Sequence, residues 1–342
     1  MAIESLPASI SLFVIAATAI AFAGTKMARV ADCLAEATGL GEAFVGALFL
    51  GGSTSLAGIV TSVTAAAHNH PELAVSNALG GIAAQTVFLG IADMAYRKAN
   101  LEHAAASVAT LMQATLLVTL LAIPLLAMAG PEVSVLGIHP ASLMIPVAYF
   151  FGLRLVSEAQ TTPMWNPFYT AETRVEELKI DESDRPQLLK LWLQFIGLAA
   201  IVAIAGYGVG EVGVSISVQS GLSESLVGGL FTAVSTALPE LFTTVAAVRQ
   251  GALTLAVGGV LGGNSFDVML LAFSDFAYPG GSIYHALETR QVFVVALTLL
   301  MTGILLLGLL RRERHGIGNI GFESVLMLIL YLSGFSLLFF RI

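Results

Sequence analysis

Apolar runs long enough to cross a bilayer alternate along this chain with short polar interruptions. A spanning helix needs about 20 apolar residues, and Ile10–Ala28, Ser107–Ala129, Leu188–Val209, Gln291–Leu310 and Phe322–Phe340 all approach or exceed that length. Taking the polar punctuation as span ends predicts about ten spans, over residues 8–30, 41–67, 72–95, 104–129, 136–157, 187–209, 224–248, 253–277, 289–310 and 320–340. His68-Asn69-His70-Pro71 separates the second from the third, and Gly130-Pro131-Glu132 follows the fourth. The predicted class is an all-α integral membrane protein. The longest connection, Glu158–Pro186, alone has a soluble-like composition, with Glu176-Glu177 and Asp181-Glu182-Ser183-Asp184. It lacks the spacing of a calcium loop and reads as a solvated linker. The chain therefore divides into 1–157, a linker over 158–186, and 187–342.

Composition excludes a soluble core: 56% of residues are hydrophobic and 11% charged, against roughly 25% charged in soluble domains. The 34 glycines suit close packing of membrane helices. The net charge of −8 sits in loops and at helix ends, and no basic patch is interleaved with aromatics, so the expected partner is the lipid bilayer and not nucleic acid. Cys33 is the only cysteine, which excludes an intramolecular disulfide. The first apolar stretch is too long for a signal-peptide core and no small-residue cleavage site follows it, so it is expected to be retained. Lysine and arginine set the orientation. With both termini extracytoplasmic, Lys26, Arg29, Arg97, Lys98, Arg154, Arg174, Lys179, Arg185, Lys190, Arg249, Arg311, Arg312 and Arg314 lie inside, and only Arg290 and Arg341 outside.

Internal similarity then changes the picture. Gly46–Asp93 aligns without gaps onto Gly228–Asp275, with roughly 17 of 48 positions identical and with Ser-Thr-x-Leu, Leu-Ala-Val and Leu-Gly-Gly blocks in register. The first hairpin turns at His68–Glu72, the second near Arg249–Thr254. Five spans precede the second half, an odd number, so the copies are expected to be inverted in the membrane, as two five-helix repeats. Such repeats put a substrate site near the midplane, where the hairpins meet.

Glu240 and Asp267 are the polar groups hardest to explain as structure. Each lies roughly 13 residues from a turn near residue 253, about 20 Å of helical rise, so antiparallel geometry brings them to a similar depth. A carboxylate there implies an ion, a proton or a cavity. Pro239 interrupts the helix ladder and frees carbonyls. Ser235, Thr236, Thr243 and Thr244 add hydroxyls, and Gly262-Gly263-Asn264-Ser265 is small and polar one turn before Asp267. Oxygen-only ligands suit hard cations.

Thr236-Ala-Leu-Pro-Glu-Leu and Gly262-Gly-Asn-Ser-Phe-Asp resemble the second α-repeat of the sodium/calcium exchanger family, in the cation/calcium antiporter superfamily. Thr54-Ser-Leu and Leu73–Gly81 resemble the first. The resemblance implies alternating access with exchange of cations, and assigns ion binding to Glu240 and Asp267, the expected metal ligands, with Asn264 close by. It also exposes a departure. Gly58 stands where Glu240 stands in the second repeat, Ile82 matches Asn264, and Gln85 matches Asp267, so the first repeat has lost its carboxylate. Gln85 is a neutral ligand candidate, and Ser53, Thr54, Ser55, Thr61 and Ser62 add further oxygens. Two carboxylates fall short of the 6–8 oxygens calcium prefers, so cation/proton exchange stands beside calcium/sodium exchange. A transport-inactive relative with an assembly or regulatory role is the alternative. No resident cofactor is expected, only the transported cation (calcium, sodium or another small cation) and protons. No enzymatic signature or nucleotide-binding loop lies in a span.

Lesser features have plainer readings. His68, His70 and Glu72 read as an exposed turn rather than a metal site. Asp93 and Asp275 match across the repeats at helix ends and read as capping or packing residues, Gln113 and Gln194 as interhelical hydrogen-bond formers, and Trp165 and Tyr169 as interfacial anchors.

Overall fold

The computed structural model describes residues 5–38, 49, 51–96, 99–105, 107–161, 163, 165–168, 170, 173, 188–314, 316 and 320–339. Among these the chain is helical, without a β-strand. The helices are α1 (Leu6–Thr38), α2 (Leu56–Ala67), α3 (Pro71–Ala95), the single turn α4 (Leu101–Ala104), α5 (Val108–Ala129), α6 (Pro140–Thr161) and α7 (Leu188–Ser220). There follow α8 (Glu224–Thr236), α9 (Leu238–Gln250), α10 (Leu253–Asp267), α11 (Met269–Ala277), α12 (Thr289–Arg311) and α13 (Phe322–Leu337). Seven described helical stretches are long and apolar enough to cross a membrane: α1, α3, α5, α6, α7, α10 with α11, and α12. The pair α8 and α9, bent by 46°, makes an eighth if counted as one span, while α2 and α13 are shorter apolar helices. Most of the linker, together with Tyr169, Arg97, Lys98 and Gly46–Leu48, lies outside the described residues; Trp165 is exposed.

Local chemistry sets several ends. Pro71 and Pro140 open α3 and α6, where a missing N–H costs nothing. Gly251, at φ 84°, closes α9 in the left-handed conformation glycine adopts freely. The sequence expectation for α7 fails at its C-terminal end, since the helix passes residue 209 and continues to Ser220. Glycines in this helix are contact points. A Cβ on Gly206 would stand 2.8 Å from the Ala57 carbonyl oxygen, and one on Gly213 would stand 3.0 Å from Thr232. The Thr61 hydroxyl donates to the Gly206 carbonyl at 2.8 Å. Close packing outweighs the helix penalty of glycine.

α3 is the axis of the molecule, with 83% of its most apolar window buried, against 28% in α1 and 17% in α7. It packs on α2 and on α8 through α13. Its closest approach is backbone to backbone, where a Cβ on Gly80 would fall 2.3 Å from the Gly229 carbonyl oxygen. α1 lies along α7. Two aspartates organise the helix ends in the same way. Asp93 accepts from Leu101 N at 2.7 Å and from Gly321 N, just before α13, at 3.0 Å. Asp275 accepts from Ile283 N at 2.7 Å and from His139 N, just before α6, at 2.9 Å. Each reaches the amide eight residues on and then ties down the start of a helix in the other half of the chain, in keeping with the capping or packing role expected of both.

The turn at His68–His70 is held by polar partners. His68 Nδ1 lies 2.6 Å from Glu211 Oε1, His70 Nδ1 lies 2.7 Å from Glu224 Oε1, and Ser225 donates to Glu72 at 3.0 Å. Gln113 lies over Gly258 and Gly262 of α10, whereas Gln194 is exposed, contrary to the interhelical reading.

Candidate functional site

The site forms where two helices break. Pro239, with no N–H to give, occupies the start of α9, and the chain kinks at Ala237. Glu240 therefore sits in the first turn of α9, where the unpaired N–H groups of a helix start favour negative charge. Asp267 ends α10, just before the break at Val268. Both carboxylates face one small polar cavity, about 10 Å³ as the space open to the centre of a water-sized sphere, roughly one water. Ser55, Gly58, Asn77, Gly81, Gln85 and Thr236 help to line it.

Its two acids are held differently. Asp267 is partnered at both oxygens, because the Ser55 hydroxyl donates to Oδ1 and Gln85 Nε2 donates to Oδ2 at 2.7 Å. Glu240 hydrogen-bonds Thr54, but its Oε2 is buried without a partner. Gln85 Oε1 and Asn264 Oδ1 are also buried and unpartnered. Three oxygen acceptors thus lack a donor in a region where leaving one unmade costs about 1–3 kcal/mol.

The sequence-derived residues divide accordingly. Glu240, Asp267, Gln85, Thr236 and Ser55 line the cavity, and Thr54 reaches it through Glu240. Asn264 instead donates to Thr86 at 3.1 Å, one turn away. Ser235 is buried but is not in the cavity wall, and Thr243 donates to the carbonyls of Pro239 and Glu240 on its own helix. Gly58 does stand beside Glu240, lining the same cavity. A Cβ on Gly58 would meet only the tip of Leu270 at 3.2 Å and Thr236 Oγ1 at 4.0 Å.

Asn77 is the residue sequence reasoning missed. It lines the cavity, donates to Ser62 Oγ at 2.9 Å and to the Gly58 carbonyl at 3.4 Å, and accepts from Thr232 at 2.7 Å. An amide in the middle of an otherwise Ala- and Leu-rich span is the signal that would have found it. Among the described residues no group of three or more His, Cys, Asp or Glu side chains is arranged to hold a metal. The site is two carboxylates completed by amides and hydroxyls.

The sodium/calcium exchanger protein profile matches residues 8–153 and 190–340. Over 107 residues the chain is 34% identical to the sodium/calcium exchanger MaX1 of Methanosarcina acetivorans, a match spanning 31% of this chain and only 30% of that protein. Over 297 residues it is 24% identical to the inner membrane protein YrbG of Escherichia coli, covering 86% and 87% of the two chains. Two solved structures share the fold. One is the sodium-calcium exchanger NCX_Mj, at 16% identity and TM-score 0.61, covering 97% of this chain and 99% of that one. The other is the H+/Ca2+ exchanger CAX, at 13% identity and TM-score 0.68, covering 96% and 84%.

Proposed function

The chain belongs to the sodium/calcium exchanger family and is a multi-pass membrane protein, and from that premise we propose that it is a secondary antiporter exchanging a small cation, calcium or sodium, against sodium or protons at the Glu240–Asp267 cavity. The observation that carries this reading is the set of unpartnered oxygens on Glu240 and Gln85, buried beside a second carboxylate in an apolar bundle. A buried charge needs a counter-charge or a proton, and a cavity with room for about one water admits either. Glu240 is the group that loads. Asp267, already satisfied by Ser55 and Gln85, supplies fixed negative charge, and Thr236, Thr54 and Asn264 complete the oxygen shell once cargo draws them in.

The architecture we infer is ten spans in two inverted five-helix halves, 1–157 and 187–342, joined by a cytoplasmic linker over 158–186, with alternating access to a midplane site and both termini extracytoplasmic. Three clusters support the threading. The turn at His68–His70 meets Glu211 and Glu224, His139 meets Asp275, and Asn100 meets Arg314. Each joins segments that a ten-span path leaves on the same side. Loss of the first-repeat acid at Gly58 also favours a second reading, a relative that no longer transports.

Reconstitution decides between them. In liposomes with sodium, calcium, potassium and pH gradients imposed one at a time, at least one cation gradient drives uptake of another cation, and Glu240→Gln abolishes it. Absence of flux under every gradient, from protein that is folded and inserted, leaves the inactive-relative reading.

A further inference from the structure

Far from the cavity, three carboxylates meet where α3, α4 and α13 come together. Asp93 is 0% exposed, Glu102 1% and Glu323 1%. Asp93 is satisfied as an anion by the amides of Leu101 and Gly321. Glu102 is not: neither of its carboxyl oxygens meets a donor from another residue, and Oε2 of Glu323 meets none either. Beyond its own backbone N–H, the group within hydrogen-bonding reach of Glu102 is the Glu323 carboxyl. Two carboxylates can hydrogen-bond only if a proton lies between them.

Among the described residues, the polar neighbours have partners of their own. From α4 itself, His103 contacts the Arg312 carbonyl at 2.7 Å and Thr170 at 2.9 Å. After α12, the Arg312 guanidinium donates to the carbonyls of Phe168 and His103 and to Thr173 Oγ1, and Arg314 offers its backbone oxygen to Asn100. Arg311, at the end of α12, reaches Glu313 at 3.3 Å and lies over the Phe322 ring. α10 packs against α4 but carries no titratable group before Asp267 at its far end. α3 and α13 contribute the negative groups Asp93 and Glu323.

We propose that Glu102 and Glu323 form a second proton-binding site, separate from the transport cavity, whose bound proton latches α4 and the start of α13 to the capped end of α3. Burial, with the charges of Asp93 and Glu323 added, raises the Glu102 carboxyl well above its ordinary value. The folded chain therefore holds a proton that an unfolded chain releases above about pH 4.3. The site's contribution to stability is full in acid and falls away as pH rises towards the folded-state value. Once the proton leaves, adjacent anions share a closed space and the joint opens.

Infrared difference spectroscopy on the full-length protein, titrated from neutral to alkaline pH, tests this directly. A Glu240→Gln/Asp267→Asn background removes the transport-site carboxyls. A protonated carboxyl C=O band present at neutral pH is expected to lose one group's intensity in the added Glu102→Gln variant. The thermal midpoint of the background protein should fall with rising pH more steeply than that of the Glu102→Gln protein. An unchanged band and parallel midpoint curves would overturn the proposal. If Glu102→Gln does not fold, Glu323→Gln provides the same comparison, since loss of either partner removes the shared proton.

Discussion

Glu240 and Asp267 face one cavity but are unlike in what they still need. Asp267 has two donors; Glu240 keeps an open oxygen. Glu240→Gln should therefore abolish exchange while the protein still folds, because the amide keeps the volume and loses the charge. Asp267→Asn should abolish it too, and should also place an amide NH2 against Gln85 or Ser55, lowering the thermal midpoint by the equivalent of about 1–3 kcal/mol. Flux and thermal melts on the same preparations separate the two effects, and undiminished transport in both variants would remove this cavity from the pathway. Gly58 offers the converse experiment. Its Cβ position meets only a flexible leucine tip, so Gly58→Ala should be tolerated. Gly58→Glu places a third carboxylate in the cavity and should raise the preference for divalent over monovalent cations by about tenfold, or about 1.4 kcal/mol, read as the competition ratio in uptake. The two acids could be picked out in the sequence because charge is rare in a span. Asn77 and the two partners of Asp267 were not, since they depend on where α3 lies against α2, α9 and α10.

At the scale of elements, the bundle is held by backbone contacts and by caps. Gly80 and Gly229 touch through main-chain atoms, so Gly80→Ala should destabilise by about 1–3 kcal/mol, seen as a lower melting midpoint in detergent. Asp275 takes donors from His139 N, Ile283 N and Ser142 Oγ. Asp275→Ala leaves those groups unpaired and should cost about 3 kcal/mol, with Asp275→Asn costing less. The matched positions Asp93 and Asp275 were readable as a pair from the repeat, and the break at Pro239 from the missing N–H of proline. The end of α7 was not, because it depends on Gly206 and Gly213 lying against α2 and α8.

At the scale of the molecule, the proposed cytoplasmic face rests on the positive-inside pattern. A cysteine introduced at Ser183, with the exposed Cys33 replaced first, should be labelled only from the cytoplasmic side; labelling from outside intact cells would reverse the orientation. Proton and cation should compete for one site, so lowering pH should weaken cation binding, measured as a rise in half-saturating concentration. Hydropathy and the repeat made the helical class and approximate spans legible. What they could not supply is depth: α3 reads as an ordinary span, yet it is buried by most of the second half.

The amide of Gln85 stands on Asp267 as a tethered stand-in for cargo. In a strict exchanger, an empty site is too costly to enclose, and that cost forbids the unloaded carrier from turning over. Here one of the two negative charges is already solvated by hydrogen-bond donors of the chain itself. The penalty for closing without a passenger falls mainly on Glu240, and a proton there would remove it. For the proposed exchange, coupling is therefore a matter of degree, with slippage set by how readily Glu240 alone can be silenced.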